Sequence, residues 1–190
     1  MGEARLTLID PSTPPEQWEF NREFSKNLRL YGAETIISQL LRKDPTGKDW
    51  SLSTVYIEFE NNGGAAVSVP TPAADEGLSY YQSLALSSTR DYLRVPVIAT
   101  ILESSDEVLY PDGNIVRYLA HTSGTTGVNG KAFSAAQQSR VYGAALVATP
   151  VEGDHSQDVV YSRVYYSSSG DQFIKTATTQ IAMEYRDTRE

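Results

Sequence analysis

The sequence predicts a mainly β protein: an antiparallel β-sandwich or barrel-like domain with one N-terminal helix and an extended N-terminal arm. Three observations favour this class. After residue 50, short runs alternate apolar and polar residues, and segments rich in Gly, Pro, Asn, Asp and Ser separate them. The strand–helix–strand rhythm of a parallel sheet is missing. The 12 tyrosines and many Val, Thr and Ser residues are typical of strands.

Residues 1–28 are predicted to form the arm, and residues 29–190 the β-sandwich domain. Three prolines within residues 11–15 favour an extended backbone. The aromatic residues that follow at once are Trp18, Phe20 and Phe24. These rings either fold back onto their own domain or pack on a neighbouring subunit, since large aromatic side chains make good interface anchors.

A helix with one apolar face is predicted from Tyr31 onward, and Asp44, Pro45 and Gly47 end it. Its apolar positions are Ala33, Ile36, Ile37, Leu40 and Leu41. A second, brief helix is predicted in "DEGLSYYQSLALSS".

The strand prediction begins with "STVYIEFE", which alternates apolar and polar residues and ends at the turn "NNGG". The run "RDYLRVPVIATIL" is predicted as one strand, and Pro96 places it at a sheet edge or gives it a bulge. Its apolar face consists of Leu93, Val95, Val97, Ala99 and Ile101. Further strands are expected at "IVRYLAHT", "RVYGAALVAT", "DVVYSRVYY" and "FIKTATTQIAMEY", so about six or seven strands follow the first helix.

Composition restricts the function. A net charge of −8 argues against a nucleic-acid or anionic-membrane partner. The absence of cysteine excludes disulfides, thiolate metal sites and a cysteine nucleophile. No apolar run reaches the roughly 20 residues that cross a bilayer. The N-terminus "MGEARLTLIDPSTPPEQ" lacks the pattern of a secretion signal, so we expect synthesis in the cytoplasm.

The stretch "HTSGTTGVNGKAFS" invites comparison with a phosphate-binding loop of the form GxxxxGK[ST]. Counting back from Gly130 and Lys131, the first glycine should stand at Thr125, and Ala132 stands where a hydroxyl is required. No clear helix follows to hold an anion at its N-terminus. The stretch is therefore predicted to be a surface loop between strands, and no cofactor is expected.

Other chemical patterns are weak, and no catalytic or metal-ligating residue is assigned. His121 and His155 are interpreted as solvated loop histidines without an acidic partner at helical spacing, which argues against zinc. Arg90, Asp91 and Arg94 are interpreted as an ion-paired cluster that pins a strand. The acidic residues that offer oxygen for weak calcium binding, without the spacing of an EF-hand, are Asp106, Glu107 and Asp112.

The order of "NLRLYGAETIISQLL", "STVYIEFENNGG", "LALSSTRDYLRVPV", "VYGAALVATP", "VVYSRVYY" and "FIKTATTQIAMEY" resembles structural proteins of tailed bacteriophages, most closely the tail-collar fibre type. The resemblance covers residues 27 to 186 and rests on the order of elements. It implies a virion protein that assembles symmetrically. No repetitive shaft or receptor-binding tip follows the domain, which favours a collar, neck or baseplate role over direct host binding.

The leading hypothesis is therefore a non-enzymatic virion protein that forms a homo-oligomer, as a ring or trimer, and contacts other virion proteins. A capsid decoration protein is the structural alternative. A carbohydrate-binding or glycan-cleaving module is the alternative from another class. Its stacking platform would use the exposed tyrosines Tyr80, Tyr81, Tyr165 and Tyr166, of which only one of the last two can take part, because neighbours in a strand face opposite ways.

Overall fold

The computed structural model describes residues 2–9, 12–20, 25–26, 28–29, 55–61, 79, 81–82, 91–136, 138–149, 154–165 and 173–188. The protein is mainly β, as the sequence predicts, and every strand pairing in these ranges is antiparallel. The helix predicted from Tyr31 lies outside the described residues. Three residues of the second predicted helix are described: Tyr81 and Gln82 are helical, and Ser79 is not.

The described strands form two sheets. They are β1 (Gly2–Leu8), β2 (Ser25–Lys26), β3 (Leu28–Arg29), β4 (Val55–Asn61), β5 (Asp91–Pro96), β6 (Ala99–Glu103), β7 (Ile115–His121), β8 (Gln138–Ala148), β9 (Val159–Tyr165), β10 (Phe173–Thr176) and β11 (Ile181–Thr188). The five-stranded sheet has the order β2-β1-β11-β7-β6. The six-stranded sheet has the order β3-β9-β8-β4-β5, with β10 paired to β8.

Both sheets contribute to one apolar core. Strand β8 supplies Ala144 and Leu146 from the six-stranded sheet, and β11 supplies Met183 and Tyr185 from the five-stranded sheet. The hydroxyl of Tyr185, only 1% exposed, donates a hydrogen bond to the carbonyl oxygen of Ala144 at 3.0 Å. The buried phenol is thus satisfied across the core, as a buried polar group must be.

The prediction of one strand over "RDYLRVPVIATIL" is wrong, because the chain changes sheet in the middle of this run. Strand β5 ends at Pro96 and pairs with β4, whereas β6 begins at Ala99 and pairs with β7. Val95 therefore lies in the core, while Ile101 packs with a separate cluster. Among the described strands β5 ends the six-stranded order, which agrees with the edge position that was predicted for Pro96 as one of two alternatives.

The prediction of one strand over "FIKTATTQIAMEY" is also wrong. The hydroxyl of Thr176 accepts the backbone N–H groups of Thr178 and Thr179 at 3.3 and 3.1 Å and makes a turn between β10 and β11. With these two divisions, eight described strands follow residue 50, rather than six or seven.

The N-terminal segment contributes to the domain. All seven residues of β1 pair with β11. Arg5 donates to Oε2 of Glu184 at 2.9 and 2.7 Å, and Arg117 donates to Oε1 of the same carboxylate at 2.6 Å. Glu184 is 1% exposed, so this ionic network fixes β1 in a poorly hydrated environment. The boundary at residue 28 stays a prediction, but residues 2–8 belong to the sheet.

Candidate functional site

The glycine-rich loop, residues 122–135, joins β7 to β8 and is tightly held. The backbone N–H of Ile181 donates to Oγ1 of Thr122 at 3.0 Å, which fastens the beginning of the loop to β11. A Cβ added to Gly127 would overlap the carbonyl oxygen of Lys131, so only glycine permits this approach. Asn129 adopts a left-handed conformation with φ of 51°, and its side chain accepts the N–H of Tyr92 at 3.2 Å. The loop is thereby joined to the edge strand β5.

Lys175 of β10 lies beneath this loop. Its side chain is 0% exposed, and its ammonium group donates to the carbonyl oxygens of Gly124 at 3.3 Å and Thr176 at 2.5 Å. The ring of Phe133 lies 5.0 Å from the nitrogen. No carboxylate contacts the ammonium within the described ranges. Burial therefore lowers the pKa of Lys175 to about 8.

A second group of charged residues faces the loop from β5 and from the β8–β9 connection. Arg94 contacts the carboxylate of Asp158 through Nη2 and Nδ1 of His155 through Nη1, the latter at 2.6 Å. The other oxygen of Asp158 accepts the hydroxyl of Thr149 at 2.6 Å. The side chain of Asp158 is 0% exposed, whereas that of Arg94 is 10% exposed. The carboxylate thus lies behind the guanidinium and orients it.

The glycine-rich loop and the charged group around Arg94 border a cleft of about 470 Å³. Its β5 side is lined by Tyr92, Arg94 and His155, and its loop side by Ser123, Thr126 and Lys131. Tyr81 stands beside it, edge-on to His155 with ring centroids 5.1 Å apart. The cleft presents cations, hydroxyl groups and aromatic edges, and this set is suited to holding a polar ligand.

Arg94 and His155 share a partner that was not predicted from the sequence. Arg94 pairs with Asp158, 64 residues away in sequence, and its predicted ion pair with Asp91 stays a prediction. Arg90 and the side chain of Asp91 lie outside the described residues. His155 does have an acidic partner, because Oδ1 of Asp158 lies 3.6 Å from its Nδ1 at a spacing of three residues. The sequence "HSQD" contained that signal, and the prediction overlooked it.

His121 is not a solvated loop residue. It ends β7, is partly buried, and lies edge-on to Trp18 with ring centroids 5.5 Å apart. The indole N–H of Trp18 donates to the carbonyl oxygen of Thr13 at 2.9 Å. Trp18 is 8% exposed and packs on Leu119 of its own domain.

The structure describes only one of the other two aromatic residues predicted for the interface. Phe20 is partly buried in the same cluster as Trp18, and the guanidinium of Arg5 lies 4.7 Å from its ring centroid. Phe24 lies outside the described residues. The contacts seen for Trp18 and Phe20 are those of rings that fold back onto their domain, and a subunit contact through the three residues stays a prediction.

The three acidic residues considered for calcium binding differ in their surroundings. Asp106 accepts the N–H groups of Val108 and Leu109 at 2.9 and 3.1 Å and so shapes the loop between β6 and β7. Glu107 and Asp112 are exposed. Within the described ranges no three His, Asp or Glu side chains are grouped so that they could ligate a metal ion.

Of the four tyrosines considered for a stacking platform, Tyr81 alone has a described side chain. Its ring is 39% exposed and meets Tyr92 edge-on, with centroids 6.2 Å apart. Tyr80, Tyr166 and the side chain of Tyr165 lie outside the described residues.

Comparison with known proteins gives no match to a family model, a curated protein or a solved structure. None of the helical residues described belongs to a helix long and apolar enough to cross a bilayer. The function must therefore be argued from the surfaces of the molecule itself.

Proposed function

We propose that this chain is a non-enzymatic structural protein of a tailed-bacteriophage virion, located in the tail, neck, collar or baseplate. In this proposal the two sheets form a β-sandwich that assembles symmetrically with its own copies and contacts other virion proteins. The order of elements in the sequence motivates the virion role, and an apolar surface supports the assembly.

That surface, here called the β6 surface, consists of Ile98, Leu102, Val108 and Leu109. Their exposed fractions are 46%, 59%, 88% and 71%. These four are the majority of the six large apolar residues found exposed in the described part of the chain. All four lie within residues 98–109, and a segment that exposes so many large apolar side chains is typical of one that another protein covers.

The β6 surface also lies beside a sheet edge. Within the described ranges β6 pairs only with β7, and it is the last strand of the five-stranded order. A strand of a second subunit could add to this edge by main-chain hydrogen bonds, while the apolar side chains supply burial. The described contacts of Trp18 are internal, so we assign the principal subunit contact to the β6 surface.

The mass of the purified protein tests this proposal. Light scattering should give a defined multiple of the 20.9 kDa chain. The double variant Val108→Asp, Leu109→Asp should shift the mass towards the monomer, because each carboxylate would have to be buried in the contact. Ile174→Asp is the matched control, since Ile174 is also apolar and 44% exposed but lies on β10.

The control should keep the oligomer. A wild-type protein that stays monomeric at every concentration would contradict the assembly proposal. Copy number per particle separates the tail or neck role, with tens of copies or fewer, from a capsid decoration role with hundreds.

A further inference from the structure

We propose that the cleft at the glycine-rich loop binds a single sugar residue that carries one oxyanion, either a carboxylate or a phosphate. This site is distinct from the β6 surface. The loop residues Val108 and Leu109 of that surface lie at the opposite end of β7 from the cleft, because the loop of residues 104–114 precedes that strand and the glycine-rich loop follows it. Seven residues of strand separate the two loops by roughly 20 Å. Ile98 lies beside the other end of β7, where its N–H donates to the carbonyl oxygen of Leu119.

The charge of the cleft favours an anion. Arg94 and Lys131 both line it, and none of the described lining residues is acidic. Asp158 balances Arg94 from behind. The ammonium of Lys131 makes no hydrogen bond or ion pair with the described residues. One positive charge is therefore left over, in a protein whose net charge is −8. A ligand with one negative charge would balance it.

The size and the walls of the cleft favour a sugar as the carrier of that charge. A volume of about 470 Å³ exceeds what a bare phosphate or sulfate ion fills. Ser123, Thr125 and Thr126 line the cleft from the loop, and their hydroxyl groups form a hydrogen-bonded set with oxygen separations of 3.0 and 3.1 Å. Hydroxyl groups both donate and accept, as the hydroxyl groups of a sugar do. The ring of Tyr92 forms the opposite wall.

The cleft is also formed in advance. Asp158 and His155 hold the guanidinium of Arg94, and the close approach at Gly127 fixes the loop. The contact between Tyr92 and Asn129 sets the width between the two sides. Binding would therefore cost little conformational entropy, because the site is already ordered.

Nuclear magnetic resonance titration of the full chain tests the proposal, with glucuronate, glucose 6-phosphate, glucose and inorganic phosphate as probes. At least one of the two anionic sugars should shift the amide resonances of residues 123–131 saturably, and the stronger of the two shows whether the oxyanion is a carboxylate or a phosphate. Glucose should bind at least about tenfold more weakly. Equal binding of glucose, or phosphate binding as tightly as glucose 6-phosphate, would overturn the proposal.

Lys131 supplies the matched pair of variants, because it is exposed and its replacement leaves the core intact. Lys131→Gln should weaken the anionic sugar about tenfold, whereas Lys131→Arg should stay within about threefold of the wild type. Unchanged affinity in Lys131→Gln would refute the charge argument. The binding measurement does not depend on the mass of the oligomer. The ligand proposal can therefore fail while the assembly proposal holds, and the assembly proposal can fail while the ligand still binds.

Discussion

The loops at the two ends of β7 are both fixed by hydrogen bonds, but they present opposite surfaces. In the loop of residues 104–114, Asp106 and Asn114 accept backbone N–H groups, and Val108 points outward with 88% of its surface exposed. The glycine-rich loop instead turns hydroxyl groups towards a cleft and covers Lys175. One strand thus separates exposed apolar side chains from a cleft that charged and hydroxyl-bearing residues line.

The two loops differ in how far they depend on contacts within the chain. The glycine-rich loop is tied to β5, β10 and β11 by buried polar groups, so changes there should lower the stability of the single chain. The loop of residues 104–114 keeps its apolar side chains out of the core, so most changes there should affect assembly instead. Four substitutions examine this contrast, and two of them have a counterpart in the other loop.

The largest effect is expected for Asp158→Ala, which removes the buried partner of Arg94 and the acceptor of the Thr149 hydroxyl. We expect a loss of about 4 kcal/mol in the free energy of unfolding, because a guanidinium that is only 10% exposed is left without its carboxylate. Urea denaturation measures it. Asp106→Ala is the counterpart in the other loop, where an exposed carboxylate accepts two backbone N–H groups, and about 1 kcal/mol is expected. Equal losses would remove the contrast.

Gly127→Ala should cost about 3 kcal/mol, because its Cβ would overlap the backbone oxygen of Lys131. A backbone atom cannot rotate away as a side chain can, so the loop must open. Thermal unfolding and the titration with an anionic sugar should both report the change. A variant with wild-type stability and wild-type spectra would mean that the loop does not make this close approach.

Strands β7, β8 and β9 could be predicted because their signals are local. Each is a short run rich in apolar and tyrosine residues with turn residues at both ends, and this is enough to place the strand. The division of the run from Leu93 to Ile101 could not be predicted in this way. Alternation continues through Val97, and only pairing with β4 on one side and β7 on the other reveals two strands.

The cleft depends on pairings that no local pattern shows. Arg94 and Asp158 are 64 residues apart, and Lys175 and Gly124 are 51 residues apart. The two polar partners of Arg94 lie close together at the start of the predicted strand "DVVYSRVYY", but no sequence pattern connects that region with β5. Only the three-residue spacing of His155 and Asp158 was open to direct inspection.

A smaller effect is expected from the buried ammonium of Lys175, and its sign follows from the lowered pKa. Below about pH 8 both the folded and the unfolded chain hold the proton, so the folded state bears the full cost of burying the charge. As the pH rises through 8, the folded lysine loses its proton first, and folding becomes more favourable. The gain should be at most about 2 kcal/mol between about pH 7.5 and about pH 9.5.

Comparison with Lys175→Met isolates this contribution from other titrations. The wild type should gain stability over the pH interval relative to Lys175→Met, as measured by urea denaturation. Lys131→Gln changes an exposed lysine of the same loop and should keep the rise of the wild type. A parallel pH dependence in wild type and Lys175→Met would show that the ammonium of Lys175 is hydrated.

The smallest effect is expected for Gly130→Ala, which tests conformation without crowding. Gly130 has φ of 73°, and an added Cβ would meet no atom within 4 Å, so only the left-handed backbone is penalised, by about 1 kcal/mol. Gly113 in the other loop has φ of 85°, and its Cβ would lie 2.6 Å from Cγ of Leu102. Gly113→Ala should therefore cost about 2 kcal/mol and also displace Leu102 of the β6 surface. Equal shifts of the urea midpoint in Gly130→Ala and Gly113→Ala would mean that the added Cβ at residue 113 does not crowd Leu102. The side chain of Leu102 on the β6 surface would then be free to move away.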